Sequence, residues 1–207
     1  MKILFIHATA GAGHFKAAEA LYHGLPQDSS HQTLLVDSLD YTSPAFKKLY
    51  RESYSFLVTK TPWAWKFFFG LLDIDCLQPL VRGARRIYNG LNARPLEKFL
   101  KEMDFDYIVS THFLSNEVAA YLKRTGKIHS KIIGVVTDFD VHKIWLAKGI
   151  DYYCVASPWT KEKMKKLGVE ETRVIVSGIP TDEKFAKVFD VAALKQNSES
   201  LPINLLF

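Results

Sequence analysis

The feature that most constrains this chain is a rhythm of short apolar runs, each five or six residues long, separated by segments of helical character. Lys2-Ile-Leu-Phe-Ile-His7, Thr33-Leu-Leu-Val-Asp37, Asp106-Tyr-Ile-Val-Ser110, Lys131-Ile-Ile-Gly-Val-Val136, Tyr152-Tyr-Cys-Val-Ala156 and Arg173-Val-Ile-Val-Ser177 read as strands. Runs that are apolar on both faces belong to strands covered on both sides, and alternation with helices makes the sheet parallel. Between them, Ala17, Ala18, Leu21, Tyr22 and Leu25 recur at helical spacing. Ser43-Pro44 opens a helix running to about Val58, and Ser157-Pro158 opens another, each pairing a cap with a proline at the first helical position. Pro95 to Met103 and the residues after Ser115 complete the helical set. The expected fold class is α/β, a Rossmann-like parallel sheet with helices on both faces. Right-handed crossovers gather the loops after the strands along one edge, where such folds bind ligands. The loop at Gly11–His14, the Thr111-His112 turn and the loop from Thr137 to Trp145 should converge there.

The first of these loops carries the strongest chemical signal. Thr9-Ala10-Gly11-Ala12-Gly13-His14-Phe15-Lys16-Ala17-Ala18 sets a histidine where a small-residue turn becomes a helix. Backbone N–H groups at a helix start point outward and favour anionic or oxygen-rich ligands. The same positive end disfavours a protonated ring, leaving His14 neutral and able to accept a proton. A dinucleotide fingerprint would need glycine where Lys16 stands, and a Walker loop would need a Gly-Lys-Ser/Thr that is absent. The plainer alternative is a helix-start residue in an ordinary tight turn, which two glycines also suit.

Around that loop, the residues Gly11-Ala12-Gly13-His14 with Ala17-Ala18-Glu19-Ala20-Leu21 resemble the opening of the monogalactosyldiacylglycerol synthase and processive diacylglycerol glucosyltransferase family. Three further segments are similar and stand in the family's order. They are Ser110-Thr111-His112-Phe113 with Ala119-Ala120; Val136-Thr137-Asp138 with His142, Trp145, Asp151 and Tyr153; and Gly178-Ile179-Pro180-Thr181-Asp182 with Phe185. One departure is Ala12, where many relatives carry glycine; a methyl there restricts how closely the backbone approaches a ligand. The resemblance implies a lipid glycosyltransferase of the two-domain GT-B architecture shared with the enzyme that adds N-acetylglucosamine to lipid I. Residues 1–185 then form the N-terminal acceptor and membrane-binding domain, and 186–207 form a linker and the first strand of a truncated donor-binding domain.

The implied reaction is inverting transfer of a hexose from UDP-glucose or UDP-galactose to the hydroxyl of diacylglycerol. An alcohol attacks well only if a base removes its proton as the bond forms, and a neutral histidine suits that task. His14 matches the family's histidine, proposed as this base. Asp138 is the second catalytic candidate, orienting the base or holding the acceptor hydroxyl, with a plain loop cap as the alternative. Gly11, Ala12, Gly13 and Thr137 would line the substrate site. His142 and Trp145 frame the acceptor pocket or pack the loop, and His112 either contacts substrate or closes the edge of the core. His7, His23, His31 and His129 have no motif context. No cofactor is expected, and no His, Cys and carboxylate set has metal-ligand spacing.

Charge is unevenly placed. Residues 60–98 hold seven basic side chains against three acidic ones, so four of the five net positive charges sit in that segment. Trp63, Trp65, Phe67, Phe68 and Phe69 crowd its start, and Arg82, Arg85 and Arg86 flank an apolar helical face behind them. This helical, aromatic-basic insertion (about 60–98) suits the headgroup level of an anionic membrane, where each cation contributes about 1 kcal/mol. Ordinary core under a helical excursion is the alternative. No recognised nucleic-acid motif accompanies the basic segment. No run of eighteen apolar residues exists, so no transmembrane helix is expected; the resemblance and the insertion together imply a peripheral location, on the cytoplasmic face of a membrane. Cys76 and Cys154 are far apart and read as reduced structural thiols. The partners implied are diacylglycerol, anionic lipids and, through the second domain, a UDP-sugar. A non-catalytic lipid-binding module, or an enzyme of like architecture with a polyprenyl-linked acceptor, would also suit the insertion.

Overall fold

A computed structural model describes residues 1–9, 11–26, 30–61, 63, 83 and 92–185. Its strands are β1 (Lys2–His7), β2 (Gln32–Asp37), β3 (Tyr107–Ser110), β4 (Lys131–Val135), β5 (Tyr152–Val155) and β6 (Val174–Val176). They form one sheet in the order β2-β1-β3-β4-β5-β6, and every pairing is parallel. The described helices of eight residues or more are α1 (Ala12–Gly24), α2 (Pro44–Thr59), α3 (Arg94–Met103), α4 (Phe113–Arg124) and α5 (Pro158–Lys166). All six apolar runs are strands, each matching its expected span to within a residue or two.

Side chains alternate along a strand, so β1 serves two cores at once. Leu4 and Ile6 point to one face, joining Ile108 and Ile132 with Leu96 and Leu100 of α3 and Val118, Ala119 and Leu122 of α4. Ile3 and Phe5 point to the other, joining Val109 and Val135 with Leu21 and Tyr22 of α1. Each large apolar side chain so buried contributes about 1.5–3 kcal/mol. An exposed pair such as Lys98–Glu102, 3.7 Å apart, contributes at most about 1 kcal/mol. The two buried faces therefore hold the fold together, and the surface ion pairs do not. Leu96 also ties residues 94–98, the end of the expected insertion, into this core.

The helix starts explain how the edge is shaped. Ser43 Oγ accepts from Phe46 N–H and Ser157 Oγ from Thr160 N–H, each at 3.2 Å, as the cap-and-proline pairs imply. α4 departs from expectation by starting at Phe113, before Ser115 rather than after it. The cap is His112, whose Nδ1 accepts from Leu114 N–H at 3.1 Å. Histidine is outside the usual capping set of Ser, Thr, Asp and Asn, which is why the start reads too late from sequence. α1 begins at Ala12 behind Gly11, which supplies no side-chain cap.

Because β1 leads to β2 on one side while β3 lies on its other side, the order reverses between β1 and β3. α/β folds bind ligands at such a reversal, beyond the carboxyl ends of the strands. The turn into α1 and the turn into α4 flank it.

Most of the aromatic-basic segment, including Trp65, Phe67, Phe68, Arg82, Arg85 and Arg86, lies outside the described residues, as do Cys76 and residues 186–207. Trp63 is described and is 75% exposed. Cys154 is a half-buried free thiol whose pKa burial pushes up, against a hydrogen bond from Ser177. Among the described residues, no helix is long and apolar enough to cross a membrane.

Candidate active site at the strand-order reversal

His14 is the third residue of α1, half-buried, and its Nδ1 lies 2.8 Å from the carbonyl oxygen of Thr111. A carbonyl can only accept, so Nδ1 carries the proton and Nε2 keeps its lone pair. Thr137 Oγ1 stands 3.0 Å from the same Nδ1. In return, Thr111 Oγ1 donates to the His14 carbonyl at 2.8 Å, so the end of β3 and the start of α1 are clasped by two hydrogen bonds. Nε2 has no hydrogen-bond partner among the described residues. Burial is the largest influence on the ring and lowers its pKa below 6.5, while the Thr111 carbonyl and the Asp138 carboxylate pull upward. The ring is thus neutral at pH 7, with its basic nitrogen unoccupied.

Asp138 is exposed on the loop after β4, and its Oδ2 accepts from Trp145 Nε1–H at 2.8 Å. Trp145 is 1% exposed and its ring centroid lies 6.1 Å from that of His14. The tryptophan is therefore part of the main core, its indole N–H holding the carboxylate, and not a surface open to a ligand. His142 is half-buried and opens the short 3-10 turn Lys143–Trp145. Ala12 and Gly13 are exposed beside His14, and a Cβ built on Gly13 would meet nothing within 4 Å. Gly13 therefore keeps the approach to the helix start open without answering to internal packing.

His112 is the sequence candidate whose setting differs most from a substrate contact. Its side chain is 1% exposed, with its ring 4.7 Å from that of His14 at an interplanar angle of 86°. It sits underneath the candidate base. Burial holds its pKa well below 6.5, with the proximity of His14 and His7 adding to the effect.

Three groups around the site were not among the candidate site residues read from sequence. Tyr50 reaches in from α2, its hydroxyl 3.3 Å from His112 Nε2. Phe113 stacks near His112 at 4.1 Å and stands edge-on to Trp145 at 6.2 Å. His7 ends β1, 5% exposed, with Nδ1 lacking a partner and its ring 5.0 Å from Phe15. Its place at the ligand edge of β1 was readable from the strand assignment; its burial was not. Among the described residues, no group of three or more His, Cys, Asp or Glu is arranged to hold a metal ion.

Fold and site together define a class: a Rossmann-like α/β domain with a neutral, one-tautomer histidine at the strand-order reversal. Within that class, a family model described as monogalactosyldiacylglycerol (MGDG) synthase matches residues 14–181, and the chain belongs to that family. A processive diacylglycerol beta-glucosyltransferase of Bacillus pumilus is 28% identical over 210 residues, covering 98% of this chain and 53% of the relative. The Bacillus subtilis protein of that name is 27% identical over 197 residues, covering 93% of this chain and 49% of the relative. The chain spans about half the length of these curated relatives. Among solved structures it is similar to the lipopolysaccharide outer core galactosyltransferase WaaB in its apo form. That likeness has a TM-score of 0.47 at 18% identity, covers 85% of this chain and 45% of the other, and is too distant to bear on function.

Proposed function

We propose that this chain is the acceptor-side domain of a diacylglycerol hexosyltransferase that draws on a UDP-sugar and works at a membrane surface. One observation carries the reading: His14 presents a bare Nε2 at the edge where α/β sheets bind ligands. In the reaction, the acceptor hydroxyl gives its proton to Nε2 while its oxygen bonds to the anomeric carbon. The bond from that carbon to the diphosphate breaks, and the electron pair leaves with UDP. The Asp138 carboxylate, held by Trp145, favours the imidazolium that results. General-base assistance of this kind contributes about 10²–10⁴-fold in rate. The names of the relatives support diacylglycerol as acceptor and glucose as one hexose. The aromatic and basic residues of 60–98 support an anionic bilayer as the place where acceptor is met.

Transfer of labelled hexose from UDP-glucose or UDP-galactose to diacylglycerol in anionic vesicles tests this. A protein of the relatives' full length, built on this sequence, should form glycolipid, and residues 1–207 alone should not. No product with either donor would overturn the assignment.

A further inference from the structure

The tautomer of His14 follows from one carbonyl, but both of its hydrogen-bonding contacts, the Thr111 carbonyl and the Thr137 hydroxyl, meet the ring at Nδ1 and leave its other edge unheld. The second side-chain torsion of histidine is broad, and a ring pivoting about it would carry Nδ1 away from the Thr111 oxygen. Something must hold the plane, and His112 is placed to do so, perpendicular to the His14 ring at 4.7 Å.

His112 is itself fixed from both ends. Its Nδ1 accepts from the backbone N–H of Leu114, and a backbone N–H can only donate, so this nitrogen is bare. The proton of the neutral ring therefore sits on Nε2, which donates to the hydroxyl oxygen of Tyr50 at 3.3 Å. A second proton would break the cap of α4 and place a buried charge against the candidate base. The two facing histidines are thus held in opposite tautomers, each dictated by a backbone group. Tyr50 and His112 stand 6.0 Å apart at 74°, which continues the edge-to-face chain from α2 through the cap of α4 to α1.

We propose that His112 and Tyr50 are positioning residues for His14: the perpendicular His112 ring, backed by the Tyr50 hydroxyl, holds the His14 plane so that Nδ1 stays on the Thr111 carbonyl and Nε2 alone faces the crevice. This deepens the reading of His14 as a base, but the geometry it describes exists without any substrate.

Long-range nitrogen–proton NMR spectra of the 207-residue chain at pH 8 read the tautomer of each ring directly. The wild-type chain should show His14 protonated on Nδ1 and His112 protonated on Nε2. His112→Asn keeps an oxygen to accept from Leu114 N–H, so α4 stays capped while the ring is lost. In that variant the single-tautomer pattern of His14 should give way to averaged nitrogen shifts. Tyr50→Phe should shift the His14 nitrogens in the same direction by less. If wild-type His14 carries its proton on Nε2, or if both variants leave its pattern unchanged, the positioning role is overturned. His112 then acts as a cap alone. These spectra are independent of sugar transfer, so absence of transferase activity would sink the proposed function and leave this inference standing.

Discussion

The turns after β1 and β3 each deliver a histidine to the start of a helix, at neighbouring places on one sheet edge. In the first, Gly11 occupies the cap position and offers no side chain, and His14, three residues later, takes both of its ring contacts at Nδ1 and leaves Nε2 unpaired among the described residues. In the second, Thr111 spends its hydroxyl on the His14 carbonyl and Ser110 pairs with Ser115, and His112 becomes the cap. One imidazole is half-buried with a bare nitrogen; the other is sealed at 1% exposure with both nitrogens committed. The same residue type thus keeps a nitrogen open in one turn and commits both in the next, and what separates them is who caps the helix.

The comparison breaks most sharply under alanine. His14→Ala in a full-length enzyme should lower the transfer rate about 10²–10⁴-fold while thermal melting barely moves. A variant that keeps its turnover removes His14 from the base role. His112→Ala should do the reverse to the fold, costing about 2–4 kcal/mol from a lost cap and a cavity beneath the site. Urea titration measures it, and a loss below about 1 kcal/mol would mean the ring is not supporting its surroundings.

Protons offer a gentler probe. His7, His14 and His112 all have pKa values lowered from 6.5, burial being the largest cause for each. Below 6.5 the unfolded chain takes up protons that the folded rings refuse, so the unfolded state binds more of them and stability falls as pH falls. Above 6.5 neither state binds them and the histidine contribution is complete. Melting temperature followed from about pH 8 to about pH 5 should be flat and then decline, and His112→Asn should make the decline shallower. An unchanged slope in that variant would show that the sealed ring is not a source of acid lability.

The smallest effect belongs to Thr137→Val. It removes the hydroxyl beside His14 Nδ1 but leaves the Thr111 carbonyl, so a loss of about 0.5–1.5 kcal/mol, a few-fold in kcat, is expected from steady-state rates. A loss as large as that of His14→Ala would mean that the hydroxyl, and not the carbonyl, sets the tautomer.

Much of this edge was legible before any coordinates. Strands announce themselves because their runs are short and apolar, though only the inner strands are covered on both faces and β6 leaves Ile175 and Val176 exposed; Ser43 and Ser157 announce their helices through cap-plus-proline pairs. His14 was legible because glycine loops and helix starts are local. What stayed hidden is what tertiary packing decides. Nothing near Tyr50 marks it as a partner of a residue 62 positions away. Trp145 reads equally as a frame for a pocket or as packing for the loop, and only its burial in the main core separates the two. The late reading of α4 has the same root, since a histidine cap depends on a buried ring finding its neighbours.

His14 takes its two ring partners from positions 97 and 123 residues further along the chain. A nascent polypeptide therefore exposes the histidine early, yet gives it a setting only once β4 has emerged and paired. A chain halted before Thr137 already has the carbonyl for Nδ1 but lacks the second partner, so the complete surroundings of that one imidazole report that synthesis and folding have both run past β4.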